Sequence, residues 1–298
     1  MMIYPFDVCR SFLFTPGNHP RRVEKVFEVG ADAVILDLED AVAVAEKEAT
    51  RDLVVQAFSH RVQQQRCRHY VRVNSIDTRW CADDIRATVG PWLNGIVVPK
   101  VEEVDALLQV DAWLSEAESA AGIAAGTLDL LPIIETAKGI ENANALATAG
   151  SRVRRFAFGG GDYTLDLNYT WNADEEVLQY ARARLSHASR LGDLAPAIDT
   201  VVLQINDDQR FQASAIRGRT FGFGGKLCIH PNQVPLTNTL FTPAADDIDH
   251  AQAVVAAFKA AEAAGSASIQ LDGYFIDYPI VYKSQRILAL AEALNQSH

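Results

Sequence analysis

AVILDLE, residues 33–39, is an apolar run that carries its acids only at its end. Four aliphatic residues followed by Asp37 and Glu39 describe a strand covered on both faces, with polar groups held back to its C-terminal tip. Seven further segments share this character: SFLFT (11–15), YVRVN (70–74), GIVVPK (95–100), LLPIIE (130–135), RFAFGG (155–160), PAIDTV (196–201) and KLCIH (226–230). Stretches of helical periodicity separate them, such as Val23, Val26 and Phe27, or Val54, Val55 and Phe58. The mean step is about 30 residues, the size of one βαβ unit. Eight such steps predict an α/β chain folded as a (β/α)8 TIM barrel over residues 1–235. A doubly wound open sheet is the alternative, but the turn after the first run reads Thr15-Pro16-Gly17-Asn18, without the glycine pattern of that fold.

The remaining residues, 236–298, hold an Ala-rich helical stretch (244–264) and SIQLDGYFID, where Asp272-Gly273 signals a tight hairpin. A final amphipathic helix is expected from Tyr278. This C-terminal extension is too short for a large core of its own, so it is expected to pack over the barrel mouth or against a neighbouring subunit.

Composition excludes several classes. With 27 Lys+Arg against 38 Asp+Glu in 298 residues, the net charge of -11 repels nucleic acid and anionic membrane. Cys9, Cys67, Cys81 and Cys228 show no metal or disulfide spacing, and the N-terminus lacks the pattern of an export signal. A reducing cytoplasm is the expected compartment. Gly159 to Gly161 and Gly222 to Gly225 lack the strand-turn-helix setting of a nucleotide loop.

Barrel active sites lie at the C-terminal strand ends, and there the sequence places Asp37, Glu39, Asp40, Arg72, Asn74, Lys100, Glu135 and Asp162. In YVRVN, alternation puts Val71 and Val73 on one face and Tyr70, Arg72 and Asn74 on the other. Valines suit the helix-facing side, so Arg72 points inward and must meet carboxylates or an anionic ligand. An ion pair with Asp37 or Glu39 and a substrate contact both satisfy that requirement. Glu135 and Asp162 end adjacent strands and could share one hard cation, most naturally Mg2+, although a first-turn carboxylate and a helix N-cap explain each singly. Lys100 could form a Schiff base or simply be a solvated lysine opening an acidic helix.

These residues sit within longer motifs: RSFLFTPGN (10–18), GADAVILDLEDAV (30–42), VRVN (71–74), PIIETAKGI (132–140), FGGGDY (158–163), GFGGKLCIHPNQV (222–234) and DGYFIDYP (272–279). In that order they resemble the citrate lyase β-subunit-like family, which includes malyl-CoA and citramalyl-CoA lyases, over essentially the whole chain. The resemblance implies Mg2+ on Glu135 and Asp162, and a substrate held by Arg72, Glu135, Gly161 and Asp162. It implies catalytic roles for Arg72 and for Asp277, the latter moving a proton from an adjacent subunit, and the strand-end acids Asp37 and Glu39 complete the expected catalytic set. Asp277 before Tyr278-Pro279 is equally a helix N-cap. The CoA arm would meet Phe14, His19, Lys25, Ile229 and His230; some relatives carry arginine at the position of His19, and Arg21 or Arg22 could replace its phosphate contact. The activity implied is retro-Claisen cleavage of a carboxylated 3-hydroxyacyl-CoA to acetyl-CoA and a 2-oxo acid, by a homotrimer or hexamer. The alternatives are a citrate lyase β subunit working on a carrier-protein thioester and a malate-synthase-like thioesterase.

Overall fold

Each apolar run becomes a strand: β1 (Ser11–Pro16), β2 (Ala33–Asp37), β3 (Arg68–Arg72), β4 (Gly95–Val98), β5 (Asp129–Ile134), β6 (Ala157–Phe158), β7 (Ile198–Asp199) and β8 (Gly225–Cys228). The computed structural model describes residues 8–61 and 67–296. Pairing is parallel throughout, and β8 returns to β1 through Phe12↔Leu227, closing the predicted barrel. The helices between are α1 (Pro20–Val26), α2 (Lys47–Ser59), α3 (Cys81–Thr88), α4 (Val104–Ala120), α5 (Ala137–Glu141) and α6 (Ala143–Ala147). They continue with α7 (Gly160–Asp166), α8 (Gln179–Leu191), α9 (Asp208–Thr220) and α10 (Gln233–Leu240). These elements, apart from the last residue of α10, belong to one compact unit, Cys9–Thr239.

Strand alternation separates two cores. Phe12, Ile35, Tyr70, Val97, Leu131 and Leu227 pack inside the barrel, while Leu13, Val34, Leu36, Val71, Ile96 and Leu130 face the helices. Several strands stop earlier than their apolar runs. After Asp37 the chain turns because the aspartate accepts from Glu39 N at 2.9 Å and Ala41 N at 3.2 Å. Behind β7 and β8, a fully buried charge cluster joins Arg182, Asp199 and Lys226, with Arg182 Nε 2.9 Å and Lys226 Nζ 2.9 Å from the aspartate. Every charge there has an opposite partner, as burial demands.

His69 of β3 faces outward, stacked on Phe58 at 4.6 Å, with Nδ1 3.0 Å from the Trp92 carbonyl. Burial lowers its pKa below the ordinary 6.5, against the opposing pull of Trp92. A base lowered on folding contributes stability that is present above its unfolded value and lost as pH falls below it. The melting temperature of the wild type is therefore expected to drop from pH 7 to pH 5 more steeply than that of His69→Phe. Equal slopes in a pH series of thermal melts would contradict this.

A second unit holds residues 240–296, built on α11 (Ala245–Ala263), a hairpin of β9 (Ile269–Leu271) and β10 (Tyr274–Ile276), and α12 (Tyr278–Gln296). Asp272 and Gly273 both take positive φ, 51° and 83°, the geometry that the hairpin signal requires. Val254, Phe258, Ile276 and Val281 form its small core. No described helix is long and apolar enough to cross a membrane.

Candidate active site

Arg72 ends β3 directly beside Asp37 of β2, its register partner. Its Nε and Nη2 donate to the two oxygens of Asp37 at 2.7 and 2.6 Å, and Nη1 lies 3.0 Å from Glu39 Oε2. Phe14 of β1 supports the guanidinium from one face, 4.9 Å from the ring centroid. Burial works against this charge, but Asp37, Glu39 and Glu135 outweigh it, and Arg72 is held above its ordinary pKa. A guanidinium has five N–H groups, so three contacts leave two for a ligand. The acidic loop after β2 is fixed in turn by the buried Lys47, whose Nζ donates to the carbonyls of Leu38 at 3.0 Å and Glu39 at 2.8 Å.

Across the mouth stand Glu135 and Asp162. Glu135 follows β5 and is only 3% exposed; its Oε1 accepts from Lys100 N at 2.9 Å and its Oε2 lies over Gly159. Asp162, half-buried in the first turn of α7, has no hydrogen-bond or ion-pair partner among the described residues. Burial, then the neighbouring Asp162 charge, pushes Glu135 well above the usual carboxylate range. Two facing carboxylates in that condition fit a hard divalent cation, with further oxygens supplied by water and substrate. Among the described residues, no group of three or more His, Cys, Asp and Glu side chains converges as a ligand shell. Glycine is required beneath the pair: a Cβ on Gly159 would lie 2.1 Å from Glu135 Oε2. Gly159→Ala is expected to displace Glu135 and weaken Mn2+ binding by about 10- to 100-fold, the usual cost of disturbing a ligand's support. Calorimetric titration measures it, and unchanged affinity would show that the pair does not hold the ion.

The two groups share a cavity of about 400 Å³, which Arg72, Glu135, Gly161 and Asp162 line together with Phe14, Asp37, Asp40, Ile133, Thr200 and Leu227. Thr200, just beyond β7, is a site residue that strand-end charge did not reveal. Its Oγ1 accepts from Gly160 N at 2.8 Å, fixing the start of α7 and leaving its own hydroxyl proton free to donate. A polar residue next to the end of the run PAIDTV was the available signal. Asn74 goes elsewhere: its N and Nδ2 both donate to Asp84 of α3, at 2.9 and 2.7 Å, so it leaves the rim group. Lys100 does not fit a Schiff-base nucleophile. Burial favours the neutral amine, but Glu39, 2.6 Å away, with Asp40 and Asp162, more than offsets this and pushes Lys100 up to about 12.

Against known proteins, the HpcH/HpaI aldolase/citrate lyase family matches residues 10–231, the span of the barrel and its rim. The chain belongs to this family. It is thus an enzyme of the aldolase and lyase class, which acts on carbon–carbon bonds. Citrate lyase subunit beta of Leuconostoc mesenteroides subsp. cremoris is 36% identical over 95% of this chain and 93% of its own length. A (3S)-malyl-CoA thioesterase of Cereibacter sphaeroides is 33% identical over 98% of this chain and 96% of its own. Among solved structures, CitE of Mycobacterium tuberculosis in complex with magnesium, acetoacetate and coenzyme A has a TM-score of 0.77 at 25% identity, over 96% of this chain and 98% of that one.

For a family member, the placement of the expected thioester contacts is uneven. Phe14 and Ile229 line the cavity, whereas His19, Lys25 and His230 do not. His19 precedes α1 as its N-cap without a side-chain cap bond, and Lys25 sits in that helix's last turn. Arg22, on the intervening turn, reaches the cavity instead. His230 is occupied locally, its Nδ1 accepting from Asn232 N at 3.3 Å. Asp277 lies in the second unit in the N-cap position of α12, its carbonyl accepting from Val281 N at 3.1 Å.

Proposed function

We propose that this chain is a Mg2+-dependent carbon–carbon lyase that cleaves a carboxylated 3-hydroxyacyl-CoA, of the malyl-CoA or citramalyl-CoA type, into acetyl-CoA and a 2-oxo acid. The observation that carries this reading is one cavity with a paired guanidinium on one side and a carboxylate pair, Glu135 and Asp162, on the other. Glu135 and Asp162 would hold the cation, which when bound supplies Lewis-acid charge for the oxygens of the departing 2-oxo acid. In the cleavage, the substrate hydroxyl would pass its proton to solvent water as base, forming the carbonyl of the 2-oxo acid while the bond to the thioester's α-carbon breaks and its electron pair passes onto that thioester as an enolate. The two free N–H groups of Arg72 would stabilise the enolate oxygen. Asp37 and Glu39 would act by orienting Arg72, since their bonds to it fix its plane.

Asp277, carrying a proton taken up from solvent, would then protonate the enolate carbon to give acetyl-CoA and return to its carboxylate form. Tyr274 and Phe275 beside it are 69% and 67% exposed, an apolar tip suited to burial against a second copy of the chain. If Asp277 serves a neighbouring barrel in a trimer or hexamer, mixing Asp277→Ala with Arg72→Ala protein should restore part of the activity after subunit exchange. The four cysteines are free thiols, which suits a reducing cytoplasm.

The test is cleavage of malyl-CoA, citramalyl-CoA and citryl-CoA with Mg2+ and with EDTA, following acetyl-CoA and 2-oxo acid. Mg2+-dependent cleavage of one member supports the reading. Release of free CoA during turnover would instead indicate a thioesterase. The identity with a citrate lyase subunit favours a second reading, a carrier-protein thioester as substrate, and silence on all three CoA esters with turnover of citryl-carrier protein would establish it.

A further inference from the structure

Lys100 adopts a backbone conformation that its residue type avoids. Its φ is +54°, in the left-handed region, two residues beyond the end of β4. That single twisted residue reaches two carboxylates on opposite sides of the mouth. Its backbone N–H donates to Glu135 Oε1 at 2.9 Å, and its Nζ donates to Glu39 Oε1 at 2.6 Å, with Asp40 at 3.8 Å. Glu39 uses its other oxygen on Arg72, 3.0 Å away. An unbroken path therefore runs from Glu135 through the main chain and side chain of Lys100 to Glu39 and on to Arg72. Lys100 itself does not line the cavity.

We infer that Lys100 is a positioning residue that locks the distance between Arg72 and the Glu135–Asp162 pair by tying Glu39, the third anchor of Arg72, to the backbone that holds Glu135. The physical case rests on what its loss would leave. Without the ammonium, Glu39, only 5% exposed, keeps Arg72 as its one cationic partner and loses the contact that fixes its other oxygen. Arg72 then loses a firm third anchor, although Asp37 still holds it through two bonds. The N–H to Glu135 survives any substitution except proline. Removal of the side chain thus separates Arg72 geometry from cation binding, which a generally structural residue would not do. The charge removed is positive and close to Asp162, so a divalent cation should bind no less tightly without it.

The inference rests on the proposed reading of the site, and its test includes an arm that needs no substrate. Lys100→Met, Lys100→Arg, Glu39→Gln and the double variant Lys100→Met/Glu39→Gln are compared with wild type by Mn2+ calorimetry, and by turnover of whichever thioester the wild type cleaves. Lys100→Met is expected to bind Mn2+ at least as tightly as wild type, and up to about tenfold more tightly, while kcat falls about 100-fold. Lys100→Arg should regain most of that loss. The double variant should turn over no more slowly than Lys100→Met, because the two residues act through one contact. Weakened Mn2+ binding in Lys100→Met, failure of arginine to rescue, or multiplicative losses in the double variant would each overturn the inference. If Lys100→Met does not fold, Lys100→Gly takes its place, since glycine suits the left-handed backbone and keeps the N–H. If the wild type cleaves no thioester, the functional reading fails alone, and weakened Mn2+ binding in Lys100→Met would still overturn the inference.

Discussion

Arg72→Lys is expected to lower kcat by about 10²- to 10³-fold, the usual cost of removing a preorganised donor at developing negative charge. The substitution keeps the charge, so the loss would come from shape. The guanidinium spreads its contacts over a plane, two to Asp37 and one to Glu39, while Phe14 supports its face. An ammonium is a point charge that can follow one carboxylate and leave the others short of a partner. It would also lack the two directed N–H groups that remain for the ligand. Mn2+ affinity should change little, because Glu135 and Asp162 are untouched. Steady-state kinetics of Arg72→Lys decides the matter: a kcat within tenfold of wild type would mean that only the charge of Arg72 matters.

Glu135→Gln should separate stability from function. In the metal-free protein the carboxylate is buried beside Asp162 and pushed to a raised pKa, so a neutral amide of the same shape relieves both burial and like-charge repulsion. The melting temperature without metal is expected to equal or exceed that of wild type. Cation binding should fall by at least about 100-fold, beyond the range caused by disturbing a supporting group, since a hard ion loses one of its two anionic ligands. Turnover at fixed Mg2+ should fall with it. Thermal melts and Mn2+ titration on the same preparation test both halves. Destabilisation together with retained Mn2+ binding would mean that Glu135 is a packing residue rather than a ligand.

The barrel was legible because eight buried parallel strands require apolar runs, and such runs survive in sequence as AVILD, GIVV and LLPII. Strand ends were less legible. β6 and β7 have two residues each, where the runs suggested more, because Gly159 leaves its strand to open a helix and Thr200 leaves to receive Gly160 N. Alternation in YVRVN correctly turned Arg72 inward, but it also put Asn74 beside it. The chain departs from the strand after Arg72, and Asp84 captures Asn74 from behind the barrel. Periodicity has no force once the strand has ended.

What the sequence determined by itself is the order of the strands, the acidic and basic residues gathered at their C-terminal ends, and the hairpin at Asp272-Gly273. Those features depend on neighbours along the chain, where spacing is fixed by covalent geometry. Only the tertiary structure decided which charge meets which: Arg72 takes both Asp37 and Glu39, and Lys100 bridges Glu39 and Glu135 across sequence separations of 61 and 35 residues. It also decided that Arg22 rather than Lys25 reaches the cavity. Hydrogen bonds and close ion pairs change steeply over a few tenths of an ångström. Distances of that size are set by barrel closure and by a left-handed residue after β4, neither of which leaves a pattern in the order of the amino acids.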